Sequence, residues 1–179
     1  MEFEAAKISN TDQNSSRRSR KRYLVLHVFF RLLGATAAFT AAVLMGLNKQ
    51  TSVFAGYAIN ASHDSSPAFK FLVVGNGIVG GYLVVSLPFV SNLMDGCILT
   101  LLDLMNMALL MGVTSAAAAV GYIGKHGNDK IGWAKVCPYY EKFCKRTELS
   151  VGASFLAFFC LLSICLVTSL HRRKQICSD

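Results

Sequence analysis

Residues 97–124 read CILTLLDLMNMALLMGVTSAAAAVGYIG, and Asp103 is the one charged residue among them. Wound as an α-helix at ~1.5 Å per residue, the stretch extends on the order of 40 Å, more than the ~30 Å of hydrocarbon in a bilayer. A buried helix of a water-soluble domain rarely needs that length, so the segment reads as a membrane span. Working outward, three more blocks repeat the pattern. Residues 23–47 carry only His27 and Arg31, while residues 71–92 and 149–170 carry no Asp, Glu, Lys, Arg or His. The chain as a whole is 53% hydrophobic and 16% charged, and its charges are swept into the ends and connections.

These blocks predict an all-α integral membrane four-helix bundle. Residues 1–22 form a basic N-terminal segment, polar enough to be disordered. Loops at 48–70 and 125–148 lie on one side of the membrane, and a short turn at 93–96 and a tail at 171–179 lie on the other. So short a turn forces the second and third spans to be antiparallel neighbours. A cleavable signal peptide is a poor reading of the first block, which is too long for a signal core and is interrupted by Arg31. Lys and Arg are nearly balanced across the two sides, but the dense cluster Arg17, Arg18, Arg20, Lys21 and Arg22 abuts the first span and places both termini in the cytosol. The net charge of +8 belongs to this anchoring. Aromatic residues do not interleave with the basic ones, so a nucleic-acid partner is not expected.

Arg31 lies eight residues into the first span and Asp103 eight residues beyond Asp95, so both sit ~12 Å below the same interface. A lone charge at such depth costs about 2.5 kcal/mol or more, which predicts an ion pair between them. The alternative has Arg31 snorkelling to headgroups with Asp103 protonated. From Asp103 a mostly small or polar stripe runs through Asn106, Leu110, Thr114, Ala117, Gly121 and Gly124, and from His27 another runs through Arg31, Ala35, Ala38, Ala42 and Gly46. Small residues let helices approach where lipid is as apolar as leucine, so the stripes are expected to meet. In the second span Gly77 and Gly81, beside Asn76, repeat small-xxx-small spacing suited to packing or self-association, and Pro88 is expected to kink that helix.

In the outward loops, Asn60-Ala61-Ser62 is a glycosylation sequon, whereas Asn14-Ser15-Ser16 faces the cytosol and stays bare. Cys137 and Cys144, in an oxidising space, are close enough in sequence to form a disulfide. The competing reading is a metal pair, but no nearby His or Cys completes a zinc site. Cys97, Cys160 and Cys165 read as buried small hydrophobes, and Cys177 follows the basic tail as a candidate palmitoylation site. His27, His63, His126 and His171 are scattered, and no nucleophile motif or phosphate-cradling loop accompanies them. Catalytic residues, metal sites and cofactors are therefore not expected.

The order of a basic N-terminus, Arg31, Ser86-Leu87-Pro88-Phe89, Asp103-Leu104-Met105-Asn106-Met107-Ala108-Leu109-Leu110, then Gly127-Asn128, Trp133, Cys137, Phe143-Cys144 and Gly152-Ala153-Ser154-Phe155 resembles the Casparian strip membrane domain protein-like family of plants, with a distant likeness to MARVEL-type four-span architecture. The resemblance covers residues 23 to the end of the fourth span. It implies a multi-pass plasma-membrane protein that forms homo- and hetero-oligomers in the lipid bilayer, and in the founding members recruits secreted wall-modifying enzymes. The family's first-span arginine and third-span aspartate match Arg31 and Asp103. The first outward loop lacks the aromatic-rich Glu-Ser-Leu-Pro signature of the founders, so the chain resembles a Casparian strip-like relative more than a founder. The expected function is a non-enzymatic membrane scaffold. The alternative is a small transporter or channel using Arg31 and Asp103 as a relay, because charges inside a membrane are often functional.

Overall fold

A computed structural model describes residues 2–54, 57–62, 64, 66–92, 97–128, 130 and 132–176. Four of its helices contain stretches long and apolar enough to cross a membrane, at Lys21–Gly46, Pro67–Val85, Ile98–His126 and Glu141–Leu170.

The first helix, α1, runs Glu2–Gly46 and so continues through the polar segment expected to be disordered. The physical reason is local. Residues 2–22 contain no Gly or Pro, and Glu, Ala, Lys, Gln and Arg extend a helix already nucleated by the apolar span.

The loop that follows is not irregular throughout. Strands β1 (Lys49–Phe54) and β2 (Tyr57–Ser62) pair antiparallel, with Lys49 opposite Ser62 and Phe54 opposite Tyr57. Thr51, Val53, Phe54, Tyr57 and Ile59 suit a pleated ribbon better than a helix. This small hairpin departs from the all-helical expectation, and in the second loop an isolated antiparallel bridge pairs Asn128 with Trp133.

Helix α2 spans Pro67–Val85, with proline at its first turn, where a missing N–H is harmless. It was expected to reach residue 92, but it ends earlier. Ser86 N–H closes the last turn on Tyr82 O at 2.9 Å, and a separate four-residue helix, α3 (Phe89–Asn92), follows. Pro88 therefore breaks the helix rather than kinking it, because proline disfavours helical geometry in the residue before it and brings no N–H of its own. The turn expected at 93–96 lies outside the described residues.

Helix α4 (Cys97–His126) stops at Gly127, whose φ of 68° is a left-handed helix terminus that glycine adopts without strain. Helix α5 (Glu141–Ile176) begins before the expected span and carries on through the basic tail. Its first turns are charged on their exposed side, where Lys145 and Glu141 pair at 2.6 Å.

The four long helices form a ring in which α1 and α4 each pack on both α2 and α5. One core cluster joins Ala38, Val79, Leu83, Leu110, Ala157 and Leu161. Another, nearer the two loops, joins Met45, Phe69, Leu72, Ala117, Tyr140 and Phe143. Large apolar side chains such as Val25, Phe71, Ile98, Met105 and Leu166 point outward and exposed, an arrangement suited to lipid rather than water. Close approach is set by glycine at two points of α2. A Cβ on Gly75 would lie 2.9 Å from Val113, and one on Gly80 would lie 3.1 Å from the Phe39 ring.

Candidate functional site: a buried polar network across the bundle

Arg31 is completely buried, and all three of its side-chain nitrogens have partners. Nη2 donates to Asp103 Oδ1 at 2.9 Å and Oδ2 at 2.8 Å. Nη1 donates to Ser86 Oγ, which spends its own proton on Leu83 O at 3.0 Å and is left as an acceptor. Nε donates to His27 Nδ1 at 3.2 Å, which puts the ring proton on Nε2, facing Thr168 Oγ1 at 3.4 Å. Thr168 donates to Ile164 O at 2.9 Å and lies 3.3 Å from Tyr23 Oη, so it ties α5 back to α1.

Asp103 is itself buried and takes a further bond from Tyr82 Oη at 2.6 Å, and the Arg31 guanidinium lies 5.7 Å from the centroid of that ring. Four helices thus meet at one ion pair. Helical periodicity places the parts: His27 and Arg31 are one turn apart on α1, as are Tyr82 in the last turn of α2 and Ser86, which caps it. Without these partners a charge in an apolar interior would be strongly destabilising, and with them most of the desolvation penalty is offset.

Two further polar rungs lie between this centre and the loops. Ser154 Oγ donates to Asn76 Oδ1 at 3.0 Å and takes a bond from Thr114 Oγ1 at 2.6 Å, joining α5, α2 and α4. Asn76 Nδ2 donates to Leu72 O at 2.9 Å within its own helix. Ser150 Oγ donates to Ala41 O at 2.7 Å, joining α5 to α1. Nearest the loops, Asn48 Nδ2 donates to Phe143 O at 2.9 Å and to Thr147 Oγ1 at 3.2 Å, while Phe143 N–H donates to Gln50 Oε1 at 2.8 Å. The hairpin is thereby fastened to the start of α5.

Of the residues singled out in the sequence, Arg31 and Asp103 are in direct contact. Asn106 is not in the network; it bonds Leu102 O of its own helix at 2.9 Å. A Cβ on Gly77 or Gly81 would meet nothing within 4 Å, so these glycines line an open face, and Gly75 and Gly80 hold the bundle contacts instead. The difference is one of phase: Gly77 and Gly81 have the four-residue spacing, whereas Gly75 and Gly80 are five apart, and the buried Asn76 marks the inner side of the helix. Cys137 and Cys144 are joined by a disulfide with Cα atoms 5.8 Å apart, at the start of α5. Asn60 is exposed on β2 and accepts a bond from Thr51 Oγ1 at 2.6 Å. Cys160 is buried with a free thiol and Cys165 is half-buried, whereas Cys177 lies outside the described residues.

Ser86, Tyr82, Thr168 and Ser154 were not anticipated as partners. Each is an ordinary residue in a span, and the available signal was its one-turn spacing from another polar group on the same helix. Among the described residues no group of three or more His, Cys, Asp or Glu side chains could hold a metal ion. Chemically, the arrangement is a set of satisfied cross-links between helices.

Residues 20–160 match the model of the Casparian strip membrane protein domain. CASP-like protein 1F2 of Populus trichocarpa is 36% identical over 94% of this chain and 96% of its own length. Casparian strip membrane protein 5 of Ricinus communis is 35% identical over 84% of this chain and 87% of its own length. Casparian strip membrane protein 1 of Oryza sativa subsp. indica is 37% identical over 84% of this chain and 71% of its own length. No solved structure matches. A multi-pass helical bundle, fastened inside by polar contacts and apolar outside, with this extent of similarity to proteins named for a membrane, belongs to the Casparian strip membrane protein family.

Proposed function

We propose that this protein is a non-enzymatic scaffold of the plasma membrane, with both termini cytosolic, that assembles with copies of itself and with other family members. Several relatives carry the name Casparian strip membrane protein, which favours organisation of a membrane territory and, through its outward loops, recruitment of secreted wall-modifying enzymes. The observation that carries the reading is the use to which the interior is put. Arg31, Asp103, Asn76, Thr114 and Ser154 all bond across helices, so the buried polar groups act as fasteners. What the bundle offers to others is its outside: an open glycine face at Gly77 and Gly81, and loops stiffened by the hairpin and the disulfide. Photobleaching a fluorescent fusion in plant cells tests this. Slow, incomplete recovery together with oligomeric migration in mild detergent is expected; fast recovery with strictly monomeric migration would reject it.

A relay for protons or ions is the second reading, favoured by the continuous line Tyr23, Thr168, His27, Arg31, Asp103, Tyr82. The next polar layer, Asn76, Thr114 and Ser154, has no ionisable side chain to continue it. Purified protein in proteoliposomes should accordingly pass no proton or cation flux above empty vesicles, and a flux abolished by Asp103→Asn would favour the relay.

A further inference from the structure

At the end of the bundle away from both termini, a cavity of about 560 Å³ lies between α4, α5 and the start of α2. That volume falls in the ~300–1,000 Å³ range of sites that enclose a small organic molecule. Its walls are apolar: Phe69 from α2, Ala117 and Gly121 from α4, and Val151, Gly152 and Phe155 from α5. Two wall glycines leave the space unfilled, since a Cβ added at Gly124 or Gly152 would meet nothing within 4 Å. Glycine inside a helix is destabilising relative to alanine, so keeping the volume open is not the most stable solution for the chain alone.

Its ionisable lining includes Lys125, His126 and Glu148. Lys125 on α4 and Glu148 on α5 pair at 2.6 Å, and both line the space. Thr147 also lines it, but its proton is spent on Phe143 O at 2.9 Å and its oxygen accepts from Asn48 at 3.2 Å. The Lys125–Glu148 clasp is net neutral. It retains both N–H donors and carboxylate acceptors for one small uncharged group, while a phosphate or free carboxylate would meet the Glu148 charge.

The wall along α4 places Ala117, Gly121 and Gly124 three and four residues apart on one face, a strip of small side chains flanked by Val120, with Phe69 and Phe155 also lining the space. Such a surface suits a flat, rigid apolar body. We propose that this cavity is a sterol-binding site, with the ring system against the Ala117–Gly121–Gly124 face and the hydroxyl at the Lys125–Glu148 clasp.

The test uses the full chain in phosphatidylcholine nanodiscs with a photoreactive sterol as probe, followed by peptide mapping. Expected is saturable labelling confined to residues 117–126 and 147–155, competed by unlabelled sterol and not by added diacyl phospholipid. Gly152→Leu fills the space and should weaken labelling about tenfold or more. Sterol should also raise the unfolding temperature of the native chain and not that of the variant. If Gly152→Leu fails to fold, Gly124→Leu serves the same purpose on the opposite wall. Labelling that phospholipid competes equally, labelling spread over all outward faces, or labelling unchanged in a folded variant would each overturn the proposal.

Discussion

Asp103→Asn leaves the Arg31 guanidinium with Ser86 and His27 but without its counter-charge in a fully buried position. Breaking one side of a buried ion pair costs about 3–5 kcal/mol, and the variant is expected to accumulate poorly and to melt earlier in detergent. Arg31→Met combined with Asp103→Leu should recover much of that loss, because no lone charge remains. Accumulation of the three variants in membranes, read side by side with thermal unfolding, checks the order. This pair was conspicuous in the sequence because each charge interrupts a long apolar run, and the matched depths suggested contact. Its other partners were not legible. Ser86, Tyr82 and Thr168 become special only when α2 and α5 are set against α1, and their hydroxyls give no mark in a span where Ser and Thr routinely bond their own helix.

Helix α2 presents two faces with different consequences. Gly80→Leu drives a side chain into the Phe39 ring, already 3.1 Å from a bare Cβ, and should lower bundle stability by about 1–3 kcal/mol. Gly77→Leu projects into open space and should leave the unfolding midpoint unchanged while weakening self-association, which crosslinking in membranes can measure separately. At the start of α5, Cys137→Ser opens a loop whose ends are 7 residues apart. In the chain-entropy model such a closure is worth about 2.5 kcal/mol, so the variant should unfold earlier and match the reduced native protein. The existence of each span was readable from length and hydropathy, but its limits were not. Pro88 ended α2 before its apolar run did, and the charged residues 141–148 joined α5 despite their polarity, since a helix can continue into water wherever its exposed side is charged. The hairpin is hard to read in the sequence because its β-branched and aromatic residues sit in a stretch whose polarity marks it first as a connection between spans.

For the molecule as a whole, the proposed cytosolic placement of both ends predicts a measurable distinction between two sequons. Deglycosylation should shift the mass of the native chain and of Asn14→Gln, and should not shift Asn60→Gln; the reverse pattern would turn the bundle over in the membrane. The four-span architecture could be read directly, because apolar length is a property of contiguous sequence, whereas the ring order of α1, α2, α4 and α5 depends on contacts between distant segments. That order has a consequence for biogenesis. Arg31 emerges from the ribosome 72 residues ahead of Asp103. The first span must therefore enter the bilayer as an orphan carrying an unneutralised guanidinium, a penalty of roughly 2.5–3.5 kcal/mol on insertion scales. That charge finds its counter-charge only once the third span has supplied Asp103.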